Sequence, residues 1–525
     1  MLYPFTDDPT TIINFSVLMS LKLLYRLLFA FLCIQIAFYI YSLPGREPDI
    51  DDAWIGEPAY WMLKDGHARS ELMRGWTNQD ERILIHHKLM TLLGYSVVKV
   101  FGFSLYSFKS VSLFFFVFFL IIFYYLTVYR KKILNRRQFL IAAIFFFTFH
   151  YTFKFSFIFR PEILMMFLTF ISFFVLERAV RDKNNSISFG LIAGILSGLC
   201  AVAHLNGIAV IAAGGILLLI NRKWKQVISF SIGSIVGFSL YFYDFSMEYG
   251  FAFWKNQLFQ SVMGESPEKA NVFIYMANSL LKEHMRFFHD GSIIGFSLLF
   301  IIMFTAGFRY LKTKYRIMLQ YTIILMIIVA LLFTQKSRQY ILIYLPFLVI
   351  FISVCLDKWL CSRTDLSAWI YKKGWNIVVV LVILSFVGGS EYYNYRTTKN
   401  KFNPTAVRSM IKTNIKGNTS ELKIVAPMEF IFNEILYFKS IQGERLYTTL
   451  QQFDKTITGK GFIEKAQSFE IDYIILSKPY IDNLGMGKLE KEEVILNYRV
   501  VYRSPDLIML KNEAEVFLTG GLQKQ

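Results

Sequence analysis

Charge is scarce in this chain. Charged residues make up 18 % of its 525 positions, where soluble proteins carry about 25 %, and that deficit excludes a string of soluble domains. Cysteine is scarce too: Cys33, Cys200, Cys355 and Cys361 lie in or beside apolar segments without a CxxC pair. They read as small membrane-core residues, not as a disulfide framework or a zinc site. Residues 391–525 contain no GxGxxG or GxxxxGK[ST], so nothing supports nucleotide binding there. Tandem repeats and low-complexity linkers are absent as well.

What is present is apolar bulk. Hydrophobic residues make up 55 %, Phe occurs 54 times and Tyr 30 times, and the mean hydropathy is +0.43. Runs such as 138–159 and 291–308 approach or reach the length that spans a bilayer. The chain therefore reads as a polytopic α-helical membrane protein. Its formal charge of +18 does not point to nucleic acid, because Lys and Arg gather in short connectors between apolar runs. That distribution is a topology signal.

A first span over 23–43, preceded by Lys22 and Arg26, predicts a retained signal anchor with a cytoplasmic N-terminus. The next clear span, 107–129, ends in Arg130, Lys131, Lys132, Arg136 and Arg137. Between them, 89–103 is apolar but short and contains Lys99. Crossing the bilayer there would put every later basic cluster outside, so the segment is expected to be a membrane-surface or re-entrant helix. Further spans follow at 138–159, 162–177, 188–204, 207–220, 227–243, 291–308, 318–334, 341–356 and 375–389. About eleven transmembrane helices result, some of them short or tilted.

Residues 391–525 change character. Candidate strands at 422–427, 472–478 and 499–512 surround helical stretches such as 428–439, so a small α/β domain is expected. The expected organisation is a membrane domain, 1–390, with an outer loop at 44–106, and a non-cytoplasmic α/β domain, 391–525. Every long polar segment (44–88, 244–290, 391–525) then lies on the outer side. Soluble sugar nucleotides and ATP do not reach that compartment, so an activated substrate there has to be carried by a lipid.

Five constellations face that side. Asp51 and Asp52 directly precede a helix that carries Trp54, Ile55, Trp61 and Met62. They suit an N-cap, or a general base whose pKa is set by a neighbouring carboxylate. Arg160-Pro161-Glu162 puts two charges at a membrane boundary, where an Arg can snorkel to head groups or serve a site. His86-His87-Lys88 and Gln335-Lys336-Ser337-Arg338-Gln339-Tyr340 break the inside bias of the other basic clusters. Cations on that face suit a lipid phosphate, or head-group anchoring alone. His204-Leu205-Asn206-Gly207 reads as a helix-to-helix turn that allows close packing and a donor-sugar contact. Adjacent histidines on an extended segment point opposite ways, so His86 and His87 share a metal ion poorly. A divalent cation is left open and no ligand set is assigned.

At these residues the chain resembles the GT-C superfamily of integral-membrane glycosyltransferases. The nearest branch holds the protein O-mannosyltransferases and the bacterial aminoarabinose and related lipid-sugar transferases. The resemblance is carried by Asp51-Asp52-Ala53-Trp54, by Lys88 ahead of an aromatic-rich helix, by Arg160-Pro161-Glu162, and by Lys336-Ser337-Arg338-Gln339-Tyr340 before Leu345-Pro346. The chain departs from the branch in three places: Asp-Asp stands where Asp-Glu is common, Leu89 and Met90 replace two prolines, and KNQLFQSV at 255–262 lacks an Arg.

The resemblance implies inverting transfer of a sugar from a polyprenyl phosphate to an acceptor hydroxyl on a glycan, lipid or protein. Asp51 is the implied base, and Asp52 and Glu162 position the reactants and tune it. Lys88, Lys336 and Arg338 offset charge on the leaving phosphate and Tyr340 hydrogen-bonds near it. Arg160, His87, His204 and Asn206 complete the expected substrate contacts. A bacterial inner (plasma) membrane is the expected location, and Asp51, Glu162, Lys88 and Arg338 are expected to converge. Transport of a lipid-linked saccharide is the alternative reading, but it calls for a polar path that the Phe-rich spans do not provide.

Overall fold

The computed structural model describes residues 9–182, 184, 186–258, 272–333, 336–361, 366–399, 404–415, 418–445 and 458–513. Lys183, Gln335 and Arg363 of the basic and turn segments, and residues 259–262 of the loop segment, lie outside these.

The helices run in chain order as α1 (Pro9–Ser42), α2 (Ile50–Asp65), α3 (Lys88–Phe101), α4 (Leu105–Tyr124), α5 (Arg136–Thr148), α6 (His150–Phe155), α7 (Pro161–Arg181), α8 (Ile187–Ala203) and α9 (Ile208–Ile220). They continue as α10 (Trp224–Ser239), α11 (Phe251–Leu258), α12 (Val272–Leu281), α13 (His284–Phe287), α14 (Gly291–Lys314), α15 (Arg316–Leu332), α16 (Leu345–Leu360) and α17 (Lys373–Lys399). Among the described residues, five are long and apolar enough to cross a membrane: Lys22–Ser42, Leu105–Arg130, Pro161–Arg181, Gly291–Lys314 and Lys373–Lys399. Ile187–Ala203, Leu205–Ile220 and Arg316–Leu332 are shorter apolar helices. The molecule is thus polytopic. Helix α7 sits at the centre, with 83 % of its apolar window buried inside the protein, while the window of α1 is 17 % buried.

Helices α8 and α10 approach so closely that a Cβ on Gly194 would overlap the carbonyl of Phe230, and one on Gly233 that of Leu191. Small residues permit this backbone contact where apolar burial alone gives no preference between helix and lipid.

One local structure differs from the sequence expectation. The expected span at 138–159 is broken: α5 ends at Thr148, Phe149 is extended (φ −62°, ψ 118°), and α6 begins at His150. Asn394 of α17 donates to the Thr148 carbonyl at 2.9 Å, and Arg46 donates to the Phe153 carbonyl at 2.9 Å. Such partners let a broken helix persist in an apolar setting, where unmet carbonyls are costly. The segment 89–103 forms the 14-residue α3, too short to cross a bilayer. It packs Met90, Thr91, Gly94 and Val98 inward and leaves Val100 and Phe101 exposed.

Residues 423–512 form a six-stranded sheet in the order β2-β1-β3-β6-β5-β4. Its strands are β1 (Lys423–Ala426), β2 (Ser440–Gly443), β3 (Tyr473–Ser477), β4 (Val494–Ile495), β5 (Tyr498–Arg503) and β6 (Leu507–Asn512). β1 pairs in parallel with β2 and β3, and the remaining pairs are antiparallel. The expected strand at 499–512 is a hairpin, β5 and β6. The expected helix at 428–439 is reduced to short turns at Met428–Phe430 and Ile431–Glu434, with β2 following.

The sheet docks on the segment after α2. The Gly443 amide donates to the Leu72 carbonyl at 3.1 Å, Ser440 donates to Glu71 at 2.9 Å, and Phe432 stacks on Phe103. Glu57 is the anchor beneath this contact. Its buried carboxylate accepts from Trp61 Nε1 at 2.7 Å, Ser70 Oγ at 2.5 Å, the Glu71 amide at 2.8 Å and the Leu72 amide at 3.2 Å. Every partner is a donor, so a Gln there turns an N–H toward N–H groups. Glu57→Gln is expected to cost about 2–3 kcal/mol, read as a lower unfolding temperature and faster proteolysis of residues 67–86. Unchanged protease resistance would count against the anchor.

Candidate active site at the sheet-bearing end

Helix α2 begins one residue before the acidic pair. Asp49 is its N-cap and accepts from the Asp51 amide, while Asp52 at the third helical position accepts from the Asp49 amide at 2.8 Å. Neither Asp51 nor Asp52 is the cap. Successive helical residues point about 100° apart, and the two carboxylates diverge accordingly. Asp52 turns inward with no exposure, accepts from the Phe159 amide at 2.6 Å and lies 3.4 Å from Lys109 Nζ. It thereby ties α2 to the turn that precedes α7. Burial raises its pKa, opposed by Lys109 and the two amides.

Asp51 turns the other way and pairs with Arg160 Nη1. The same guanidinium grips Glu162, with Nη2 at 2.8 Å and Nε at 3.1 Å from its carboxylate. Pro161 at the start of α7 fixes the geometry in which Arg160 is its N-cap residue and Glu162 stands in its first turn. Glu162 is fully buried, whereas Asp51 keeps 19 % and Arg160 17 % of its side-chain surface exposed. Burial pushes Asp51 up to about 6. Arg160 opposes that shift, the charges of Asp49 and Glu162 add to it, and the charge of Arg445, which follows β2, also opposes it. Burial alone would weaken Arg160 as a cation, but Glu162 and Asp51 raise its pKa and keep it charged.

Next to this triad lies an aromatic and imidazole cluster. Trp54 stands three residues after Asp51, on the same side of α2. Its ring is 5.0 Å from His86 and 5.9 Å from His87, and His87 is 5.0 Å from His204. His204 Nδ1 accepts from the Asn206 amide at 3.0 Å, which leaves Nε2 to donate to the Tyr340 hydroxyl at 3.2 Å. Asn206 therefore takes part through its backbone. Gly207 closes the turn, where a Cβ would overlap the backbone of Cys200. Burial lowers His86 and His204 to about 3 each, and burial, His204 and Arg160 lower His87, so all three imidazoles are neutral.

The structure brings Asp51, Arg160, Glu162, His87, His204 and Tyr340 together and turns the other predicted cations aside. Lys88 Nζ is buried, donates to the Ile83 carbonyl at 2.9 Å and lies 3.4 Å from Asp244. Burial lowers its pKa to about 8, against the pull of Asp244. Lys336 pairs with Glu283 at 2.8 Å, which also holds the buried Arg286 at 2.7 Å. Arg338 contacts His289 and lies 3.6 Å from Asp290, whose carboxylate accepts from Tyr151 at 2.8 Å. The expected convergence of Asp51, Glu162, Lys88 and Arg338 becomes three polar clusters. Each cation is turned by a carboxylate far away in sequence. Lys88 adjoins the His86–His87 pair, and Arg286 stacks 5.9 Å from Tyr340.

Sequence reasoning missed Asp49, Lys109, Asp244, Glu283, Arg286 and Arg445. Two of these carry a signal. Asp49 and Asp52 are spaced as a capping box, and Lys109 is an ionisable residue in an apolar run. Among the described residues, no three His, Cys, Asp or Glu side chains are grouped to hold a metal ion.

The family described as dolichyl-phosphate-mannose-protein mannosyltransferase matches residues 92–243. The structure of ArnT from Cupriavidus metallidurans in the apo state superposes with a TM-score of 0.57 at 12 % identity, covering 93 % of this chain and 98 % of that one. The same protein bound to undecaprenyl phosphate gives 0.54 at 12 % identity over the same shares. The apo oligosaccharyltransferase of Archaeoglobus fulgidus gives 0.52 at 11 % identity, covering 86 % of this chain and 69 % of that one. No curated protein sequence is significantly similar to the chain.

Proposed function

We propose that this chain, which has the fold of the GT-C integral-membrane glycosyltransferases, transfers a sugar from a polyprenyl phosphate to an acceptor hydroxyl. The reaction takes place with inversion at the non-cytoplasmic face of a bacterial inner membrane. In this reading the helical part, 1–390, carries the site and 391–525 forms an outer module above it. The observation that carries the reading is the Asp51–Arg160–Glu162 triad, a partly exposed carboxylate tuned to about 6 at the sheet-bearing end of an apolar bundle. The undecaprenyl phosphate bound to the ArnT structure supports a lipid-borne donor.

Asp51 takes the proton of the acceptor hydroxyl while the oxygen attacks the anomeric carbon. The bond to the phosphate breaks with its electron pair, and polyprenyl phosphate departs as an anion. Arg160 and Glu162 hold Asp51 in place, and Asp52 positions it by anchoring α2. Arg338, the most exposed of the three predicted phosphate cations at 36 %, is the one best able to shift from its carboxylate toward the leaving group.

The test uses the full chain in nanodiscs with undecaprenyl-phosphate hexose and an envelope extract, and mass spectrometry follows release of undecaprenyl phosphate. A base near 6 predicts a rate that falls below about pH 6, as Asp51 gains a proton. Movement of unchanged lipid across sealed vesicles with no release would favour a transporter and sink this reading.

A further inference from the structure

We infer that α4 sets the spacing of Asp51 and Arg160, with Ser112 as a positioning residue for Arg160 and Lys109 as one for Asp51, an assignment that rests on the transfer reading above and deepens it. Asp51 and Arg160 are 109 residues apart in sequence. Lys109 and Ser112 stand one turn apart on α4, face the same way and are both buried. Lys109 Nζ donates to the Glu47 carbonyl at 2.6 Å and lies 3.4 Å from Asp52, so it holds the approach to α2 as well as its first turn. An ionisable residue is costly in such an apolar run and is retained where it has a task. Here the task is internal, since Glu47 and Asp52 flank Asp51.

Ser112 Oγ donates to the Ile158 carbonyl at 2.5 Å. The same carbonyl accepts from the Arg160 amide at 2.8 Å, and the Phe159 amide between them donates to Asp52 at 2.6 Å. Phe108, beside Lys109, packs under Gly56 of α2 and lies 4.9 Å from the Phe159 ring. One face of α4 thus braces the start of α2 and the turn before α7 together. On the α1 side, the Tyr39 hydroxyl and Ser156 Oγ are 2.7 Å apart, which holds the entry to the turn and leaves 158–160 to Asp52 and Ser112. Glu162 orients the guanidinium from within α7, whereas the position of the turn against α2 is set from α4. Small shifts matter there, since a reacting group displaced by about 1 Å costs about a hundredfold in rate. Asp51 is faced by Arg160 and Glu162 of α7, by Asp49 ahead of α2, by Arg445 after β2 and by Tyr340. Arg160 pairs with it directly and opposes the upward shift of its carboxyl. A turn released from Ser112 lets the guanidinium draw back, so Asp51 takes up its proton at higher pH.

Ser112→Ala removes one hydroxyl and leaves Asp51, Arg160 and Glu162 in the chain. With the full chain in nanodiscs, infrared difference spectra of each enzyme against its Asp51→Asn counterpart follow the Asp51 carboxyl through its titration without turnover. Ser112→Ala is expected to raise that titration by about one pH unit, a tenfold change in the protonation equilibrium. It is also expected to lower kcat about tenfold for undecaprenyl-phosphate hexose with KM unchanged, and to carry the acidic limb of the rate upward with the titration. Ser112→Thr keeps the hydroxyl and should restore both. Ser172→Ala is the control: Ser172 is similarly buried and joins α7 to the Ala193 carbonyl of α8 at 3.1 Å, away from the turn. That variant should lose stability and keep the wild-type titration. An Asp51 titration unmoved by Ser112→Ala, or moved alike by Ser112→Thr or Ser172→Ala, would overturn the assignment. The Ser112→Ala shift with no sugar transfer by the wild type would uphold the positioning role and sink only the transfer reading.

Discussion

Replacing Asp51 by Asn is expected to lower sugar transfer by about a hundredfold to ten-thousandfold, the loss typical of a missing general base. The substitution keeps the size of the side chain and its place in the first turn of α2, and Arg160 keeps both of its contacts to Glu162. Thermal unfolding should therefore move little. Asp52→Asn is expected to behave in the opposite way. Its carboxylate is fully buried, and Lys109, exposed by only 1 %, faces it at 3.4 Å. Neutralising one member of such a pair strands the other, at about 3–5 kcal/mol. Neighbouring positions thus separate chemistry from scaffold: one variant is folded and slow, the other is unstable. A purified Asp51→Asn enzyme with near-normal turnover would remove Asp51 as the base.

Much of this arrangement could be read from sequence because membrane burial and local helix chemistry leave short-range signals. The apolar runs, the basic connectors and the Arg-Pro-Glu turn each act within a few residues, and the segment 89–103 is short in the structure as its length requires. The break at Phe149 was not legible. The Asn that satisfies the freed Thr148 carbonyl stands 246 residues away, and no local pattern announces it. The same limit applies to the cations. Lys88, Lys336 and Arg338 all read as free charges on one face, but Asp244, Glu283 and Asp290 turn each of them, and those carboxylates belong to a loop whose path the sequence does not reveal. Strand β2 was hidden for a related reason. Residues 428–439 have helical composition, but parallel pairing of Ser440–Gly443 with β1 pulls the chain into the sheet after one short turn. Tertiary pairing overrode local propensity there.

Arg160 is the residue on which stability and chemistry meet, so its removal should damage both, and a second change should restore only one. In Arg160→Met the fully buried Glu162 loses its cation, and a loss of about 3–5 kcal/mol is expected, measured as a fall in unfolding temperature. Adding Glu162→Gln removes the stranded charge, so the double variant should regain most of that stability. Residues sharing one ion-pair network are expected to be non-additive in this way. Transfer should stay low in both variants, because Asp51 has lost the guanidinium that holds it. That loss also has a sign in pH: Arg160 opposes the upward shift of Asp51. Without it the acidic limb of any residual activity should move above about pH 6, where the wild-type carboxylate titrates. A double variant no more stable than Arg160→Met would mean that the pair does not hold this end of the bundle. An acidic limb left in place would mean that the titrating group is not Asp51.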